Sequence, residues 1–121
     1  MNKLALILTL TLAGLVFAND ETLKDKRDGK VYKLAYGLEA LWFAENLDYA
    51  GPNGKLGVKD DKGKGRLYTY KEAQTACPQY WQLPDSHDVF SQEGNPPDIW
   101  VKGGKSSKDR LYVRCLQYEE L

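Results

Sequence analysis

Apolar positions along this chain fall into short runs, and their period changes wherever turn residues intervene. The first run, residues 4–17 (LALILTLTLAGLVF), is unbroken and follows a single cation, Lys3. Its 14 residues fall short of the roughly 20 that a membrane-spanning helix requires. Val16 and Ala18 stand three and one residues before a cut, so residues 1–18 read as a signal peptide cleaved after Ala18. No cysteine lies near that cut, which argues against a lipid-modified N-terminus.

Beyond the cut the pattern is mixed. Residues 19–27 are polar and charged and are expected to form a flexible N-terminal segment. Asp28-Gly29 signals a turn, and the β-branched and aromatic residues of 31–36 predict a strand. Gly37 interrupts, and a second apolar run, Leu41-Trp42-Phe43, leads into Ala44-Glu45-Asn46-Leu47. Residues 51–65 (GPNGKLGVKDDKGKG) hold five glycines and a proline and predict a surface loop. A strand pattern resumes over 66–70. Thr69 and Glu72 then have the spacing of a capping box, in which each side chain bonds the other's exposed backbone N–H. Tyr70, Ala73, Ala76 and Cys77 share one face of the helix that follows, and Pro78 stops it. Over 111–115, two-residue alternation puts Leu111, Val113 and Cys115 on one face and Tyr112 and Arg114 on the other. An inward helix cysteine and an inward strand cysteine can meet, which predicts the disulfide Cys77–Cys115.

Removing 18 of the 121 residues leaves 103, enough for one domain, spanning 28–121. Without Lys3 the chain carries 16 basic and 17 acidic groups, a net charge of −1. That balance gives no footprint for nucleic acid or an anionic membrane surface. A domain this small gains from a covalent staple. Closing the 38-residue separation between its only two cysteines is worth ~4 kcal/mol by chain entropy. Two free thiols, the alternative, fit a cytosolic protein better than an exported one.

The residues also carry a resemblance. Asp28-Gly29-Lys30-Val31-Tyr32 and Trp42-x-Ala44-Glu45-Asn46-Leu47-x-Tyr49 resemble the opening of the Fibrobacter succinogenes major paralogous domain. Gly65-Arg66-Leu67-Tyr68-Thr69 and Ala76-Cys77-Pro78-x-x-Trp81-x-Leu83-Pro84 look like its middle, and Tyr112-Val113-Arg114-Cys115 like its close. The resemblance spans nearly the whole exported chain. It implies an α+β, C-type lectin-like fold: small antiparallel sheets, one or two short helices and one disulfide from helix to late strand. It also implies a secreted or cell-surface bacterial protein. Only 30 residues separate Pro84 from Cys115, where the family carries a long insert rich in glycine, serine and aromatics. Four residues separate Gly37 from Trp42 in place of three, which predicts a bulge or shifted turn.

Candidate chemistry is sparse. His87, the only histidine, sits in Asp85-Ser86-His87-Asp88, which reads as a helix start before it reads as a metal or base site. Asp60-Asp61 lacks the spaced acidic loop of a calcium site and reads as solvated charge. No catalytic residue, metal ligand or cofactor is expected. Lectin-like formylglycine-generating oxidases do hold copper on paired cysteines, and soft thiolates select Cu(I), but the rest of such a site is missing. Trp42 and Trp81 read as core. Trp100, between Pro96-Pro97 and Gly103-Gly104, is the best placed of the three for exposure, and with Tyr80 or Tyr118 it could stack on a sugar or peptide; core packing is the favoured reading even so, because a domain this small needs its large apolar groups inside. The expected function is therefore a secreted, non-enzymatic binding or adhesion module for a polysaccharide or cell-surface protein. It would act through loops around Trp100 and residues 51–65, with no nucleic-acid partner and no membrane insertion. The alternatives are a minimal scaffold of an envelope assembly without a small ligand, and a copper or thiol oxidase.

Overall fold

A computed structural model describes residues 21–37, 40–86, 98–106 and 108–118. The expected signal peptide, His87 and the Pro96-Pro97 pair lie outside these residues. The elements are β1 (Thr22–Lys24), β2 (Val31–Gly37), β3 (Ala40–Phe43), β4 (Val58–Lys59), β5 (Arg66–Leu67), α1 (Tyr70–Ala76) and β6 (Leu116–Tyr118). The chain is thus α+β, with antiparallel strands in a four-stranded sheet ordered β1-β2-β3-β6 and a separate β4-β5 hairpin.

Both faces of the larger sheet are apolar because the strand period places them so. Leu34 pairs with Phe43, and with Tyr32 they face a core completed by Ala73 and Ala76 of α1 and by Leu47, Tyr68, Val113 and Cys115. The opposite row, Ala35-Trp42-Leu116, packs with Ala40 under Ile99 and Tyr112. Trp42 is buried there, and Trp81 packs edge-on against Phe43 on the other side, so both tryptophans serve the core.

Helix α1 begins where its cap dictates. Glu72 N–H donates to Thr69 Oγ1 at 3.1 Å and Thr69 N–H donates to Glu72 Oε1 at 2.8 Å. The helix ends before Pro78, and Cys77 is bridged to Cys115 with their Cα atoms 5.8 Å apart. The alternation over 111–115 holds, with Leu111, Val113 and Cys115 buried and Tyr112 and Arg114 partly exposed. The regular strand there lies further on, at β6, since residues 111 and 112 join the rest only by single bridges to Tyr68 and Ile99.

Two segments are more ordered than their composition predicts. Thr22–Lys24, within the expected flexible segment 19–27, is β1 and pairs along the edge of β2. Just after it, Asp25 is buried, and Arg27 clasps its carboxylate with contacts of 2.8–3.3 Å. Arg27 also donates from Nη2 to the Ala76 carbonyl at the end of α1 and lies 3.5 Å over the Tyr49 ring. Burial pushes the Asp25 carboxyl up, but the Arg27 hydrogen bonds and charge bring it below its ordinary value. The expected loop 51–65 likewise folds back as the β4-β5 hairpin, with Leu56 packed against the core.

Candidate functional site

Of the expected ligand residues, Tyr80 and Tyr118 stay exposed and Trp100 does not. Trp100 is 3% exposed, tilted against Tyr70, and its Nε1–H donates to the Tyr68 carbonyl at 2.6 Å. Its ring is a core element and offers no face to a ligand. The flanking proline and glycine residues suggested exposure, but an indole buried with its N–H bonded is the more stable arrangement. Tyr80 and Tyr118 are exposed, at 79% and 40%, and both stand at one end of the larger sheet. Gln117 Nε2 donates to the Tyr80 carbonyl at 3.4 Å and so links that residue to β6. Tyr36, also exposed, lies at the same end, opposite Leu41, which is itself opposite Gln117.

Tyr80 holds an unusual backbone. Trp81 N–H donates to the Pro78 carbonyl at 3.0 Å, closing a turn whose third residue is Tyr80 at φ 74°. Such a turn calls for glycine there. For an L-residue with a side chain, the left-handed conformation costs about 1–2 kcal/mol. Tyr118 is held differently: its hydroxyl donates to Asp85 Oδ2 at 2.7 Å, and Lys102 lies 3.2 Å from Oδ1 of the same carboxylate. The Tyr118 hydrogen bond and Lys102 hold the Asp85 carboxyl below its usual value. Burial and the Asp85 charge push the Tyr118 hydroxyl up to about 12.

The opposite end of the sheet carries a cleft of about 720 Å³, which sequence reasoning missed. It lies between the start of β2, residues 44–48, the 62–65 turn of the β4-β5 hairpin, and Asp98, Tyr112 and Arg114. Its walls are fixed by polar bonds. Asn46 accepts from Arg114 Nε at 2.8 Å and donates through Nδ2 to the Lys64 carbonyl at 2.9 Å, tying the floor to the turn. The backbone N–H groups of Asp48 and Tyr49 donate to the buried hydroxyls of Tyr32 and Tyr68, at 3.0 and 2.8 Å. Burial raises both hydroxyls, that of Tyr32 to about 12. Gly65 sits so close to the 46–47 backbone that a Cβ there would lie 2.9 Å from the Leu47 carbonyl oxygen, and its φ of 91° suits glycine alone.

Charges in the cleft are unevenly satisfied. Asp48 meets Lys30 at 3.0 Å and Lys59 at 3.1 Å through Oδ2. Its Oδ1 faces Arg66 Nε at 3.4 Å, an ion pair without hydrogen-bond alignment. Burial opposes ionisation of Asp48, yet Lys30 and Lys59 hold its carboxyl below the usual range. Glu45 Oε2 accepts from Lys33 N–H at 2.6 Å. Arg114 is half-buried; burial lowers its guanidinium pKa even though Asp98 and Glu45 oppose the change.

The one available sequence signal was the outward placement of Tyr112 and Arg114. Their partners, Asn46 and the 62–65 turn, come from distant parts of the chain. Both cysteines are engaged in the bridge, and no free cysteine remains. Among the described residues no group of His, Cys, Asp or Glu is placed to hold a metal ion, and no helix is long and apolar enough to cross a membrane. Comparisons with family models, curated proteins and solved structures give no match to this chain.

Proposed function

We propose that the protein is a secreted, non-enzymatic binding or adhesion module that contacts a glycan or cell-surface protein. We further propose that its scaffold is C-type lectin-like, of the Fibrobacter succinogenes major paralogous kind. The helix-end Cys77 bridged to Cys115, one residue before the last strand, supports the scaffold reading.

The observation that carries the binding reading is Tyr80. An exposed aromatic ring occupies a glycine's place in a turn, at a cost to the fold. Strain of this kind accompanies functional positions, where a side chain must be presented in one direction. Tyr80 therefore serves as the contact ring, with Tyr118 at the end of β6 as its partner; tyrosines give amphipathic contact area of the type that stacks on sugar faces.

The test is binding of the purified, oxidised protein to a panel of plant and bacterial polysaccharides, alongside its Tyr80→Gly variant. Glycine relieves the turn, so Tyr80→Gly should fold at least as well as the parent and lose saturable binding. Unchanged affinity in that variant would remove Tyr80 from the site. Absence of binding across the panel, for parent and variant alike, would move the search to protein partners.

A further inference from the structure

We infer that a small cavity beside Trp81 seats one neutral pyranose ring of the glycan that the exposed tyrosines contact. The inference rests on the binding reading above and names its ligand class. The cavity, of about 260 Å³, has one wall on α1, where Tyr70 and Gln74 stand one turn apart and Cys77 follows at the C-cap. Trp81 and Gln82, the two residues directly after Tyr80, form another wall, and Lys102 completes the rim. Lys102 Nζ lies 3.2 Å from Asp85 Oδ1, and Oδ2 of that carboxylate takes the Tyr118 hydroxyl. Cavity and tyrosine end therefore adjoin, so one oligosaccharide can engage both.

The two rings are braced before any ligand arrives. Tyr70 packs on Trp100 with centroids 5.4 Å apart, and its hydroxyl accepts from Gly103 N–H at 3.1 Å. Trp81 packs on Phe43 at 5.0 Å. Both remain partly exposed, and fixed rings lower the ordering cost of binding. The Gln82 backbone is locked by reciprocal bonds to Leu116 at 2.9 and 2.8 Å. Its side-chain amide and that of Gln74 have no hydrogen-bond partner among the described residues. Each amide offers an acceptor and two donors, which suits hydroxyls that both give and take. Lys102 is the one cation or carboxylate among the described lining residues, and Asp85 neutralises it, so the cavity makes no call for a charged ligand. An apolar peptide side chain would displace water from both amides and replace none of those bonds. A sugar ring instead sets its C–H face on the aromatics and its hydroxyls on the amides. The volume lies below the roughly 300–1,000 Å³ of drug-sized sites, which fits a single ring.

The experiment is calorimetric titration of the purified, oxidised protein with neutral gluco-, manno- and galacto-oligosaccharides and with oligogalacturonate, following tryptophan emission in parallel. A neutral sugar should bind with an affinity that added salt leaves unchanged. It should also shift the emission, because Trp42 and Trp100 are buried and Trp81 is partly exposed. Gln74→Ala and Gln82→Ala remove only side-chain amides, and each should weaken binding roughly three- to tenfold. Trp81→Phe keeps a ring against Phe43 and should abolish the emission shift. Parent affinity in both amide variants, tighter binding of oligogalacturonate, or an emission shift that persists in Trp81→Phe would each overturn the inference. If a neutral sugar binds and Tyr80→Gly alone weakens it, the cavity assignment fails while the proposed function stands. If no saccharide binds, the inference fails together with the glycan half of the proposed function.

Discussion

The two ends of the four-stranded sheet are built on opposite plans. At the cleft end, turns, tyrosine hydroxyls and ion pairs interlock: Arg27 on Asp25, three cations on Asp48, Asn46 between Arg114 and the Lys64 carbonyl. At the other end, Tyr36, Tyr80 and Tyr118 expose their rings, and Gln117 and Asp85 supply the polar links to Tyr80 and Tyr118. One end gains its shape from satisfied polar groups, and the other accepts backbone strain to present a ring. Substitutions at the first should therefore cost stability, while substitutions at the second should cost binding alone.

The largest effect is expected from Arg27→Ala. It strands the buried Asp25 carboxylate and frees the Ala76 carbonyl, and breaking such a pair costs about 3–5 kcal/mol. Denaturant unfolding followed by tryptophan fluorescence would measure it; a loss within error of zero would show that the cleft end does not depend on this clasp. Gly65→Val comes next. A side chain there collides with the Leu47 carbonyl at a backbone angle that suits glycine, which should cost about 2–4 kcal/mol and displace the 62–65 turn. The same unfolding assay, with binding at the tyrosine end intact, would confirm that the damage is local.

Acid should separate the ends more gently. The carboxyls of Asp25, Asp48 and Glu72 all lie below their ordinary values of 3.8 and 4.5 in the folded protein, through their cationic partners and hydrogen bonds. Their stabilisation is present above those ordinary values and is lost as pH falls through the lowered ones, so stability should decline below about pH 4. Asp48→Asn should flatten that decline in a pH series of unfolding midpoints. Asp85→Asn, at the tyrosine end and more exposed, should change it less. In base the sign reverses. The Tyr32 hydroxyl, raised to about 12, adds stability that is full below its ordinary value of 10 and is lost as pH rises through 12. The smallest effect is the gain of up to about 1 kcal/mol expected for Tyr80→Gly as the turn relaxes. A clear loss of stability there would show that the ring packs as structure.

What was legible in the sequence was local. The Thr69/Glu72 box, the proline stop after Cys77, the alternation over 111–115 and the resulting disulfide each rest on spacings of a few residues, which the backbone obeys directly. The burial of Trp100 was legible only as a small domain's general need for apolar volume; its proline- and glycine-rich surroundings gave no hint of the partner, because the Tyr68 carbonyl that takes its N–H is 32 positions away. Strand β1 looked like a polar tail, since its order comes from the edge of β2, and Asp25 beside it is made tolerable by Arg27, which reaches the far end of α1. The cleft was hidden for the same reason: Asn46 and Arg114 are 68 positions apart, and nothing near either one announces the other.

The most direct test of this division is a two-dimensional NMR titration of the purified, oxidised protein with neutral plant and bacterial oligosaccharides, following backbone amides. Shifts are expected at Tyr80, Gln117 and Tyr118, with Asn46, the 62–65 turn and Arg114 unmoved. Shifts concentrated at the cleft amides, with those three silent, would contradict the division.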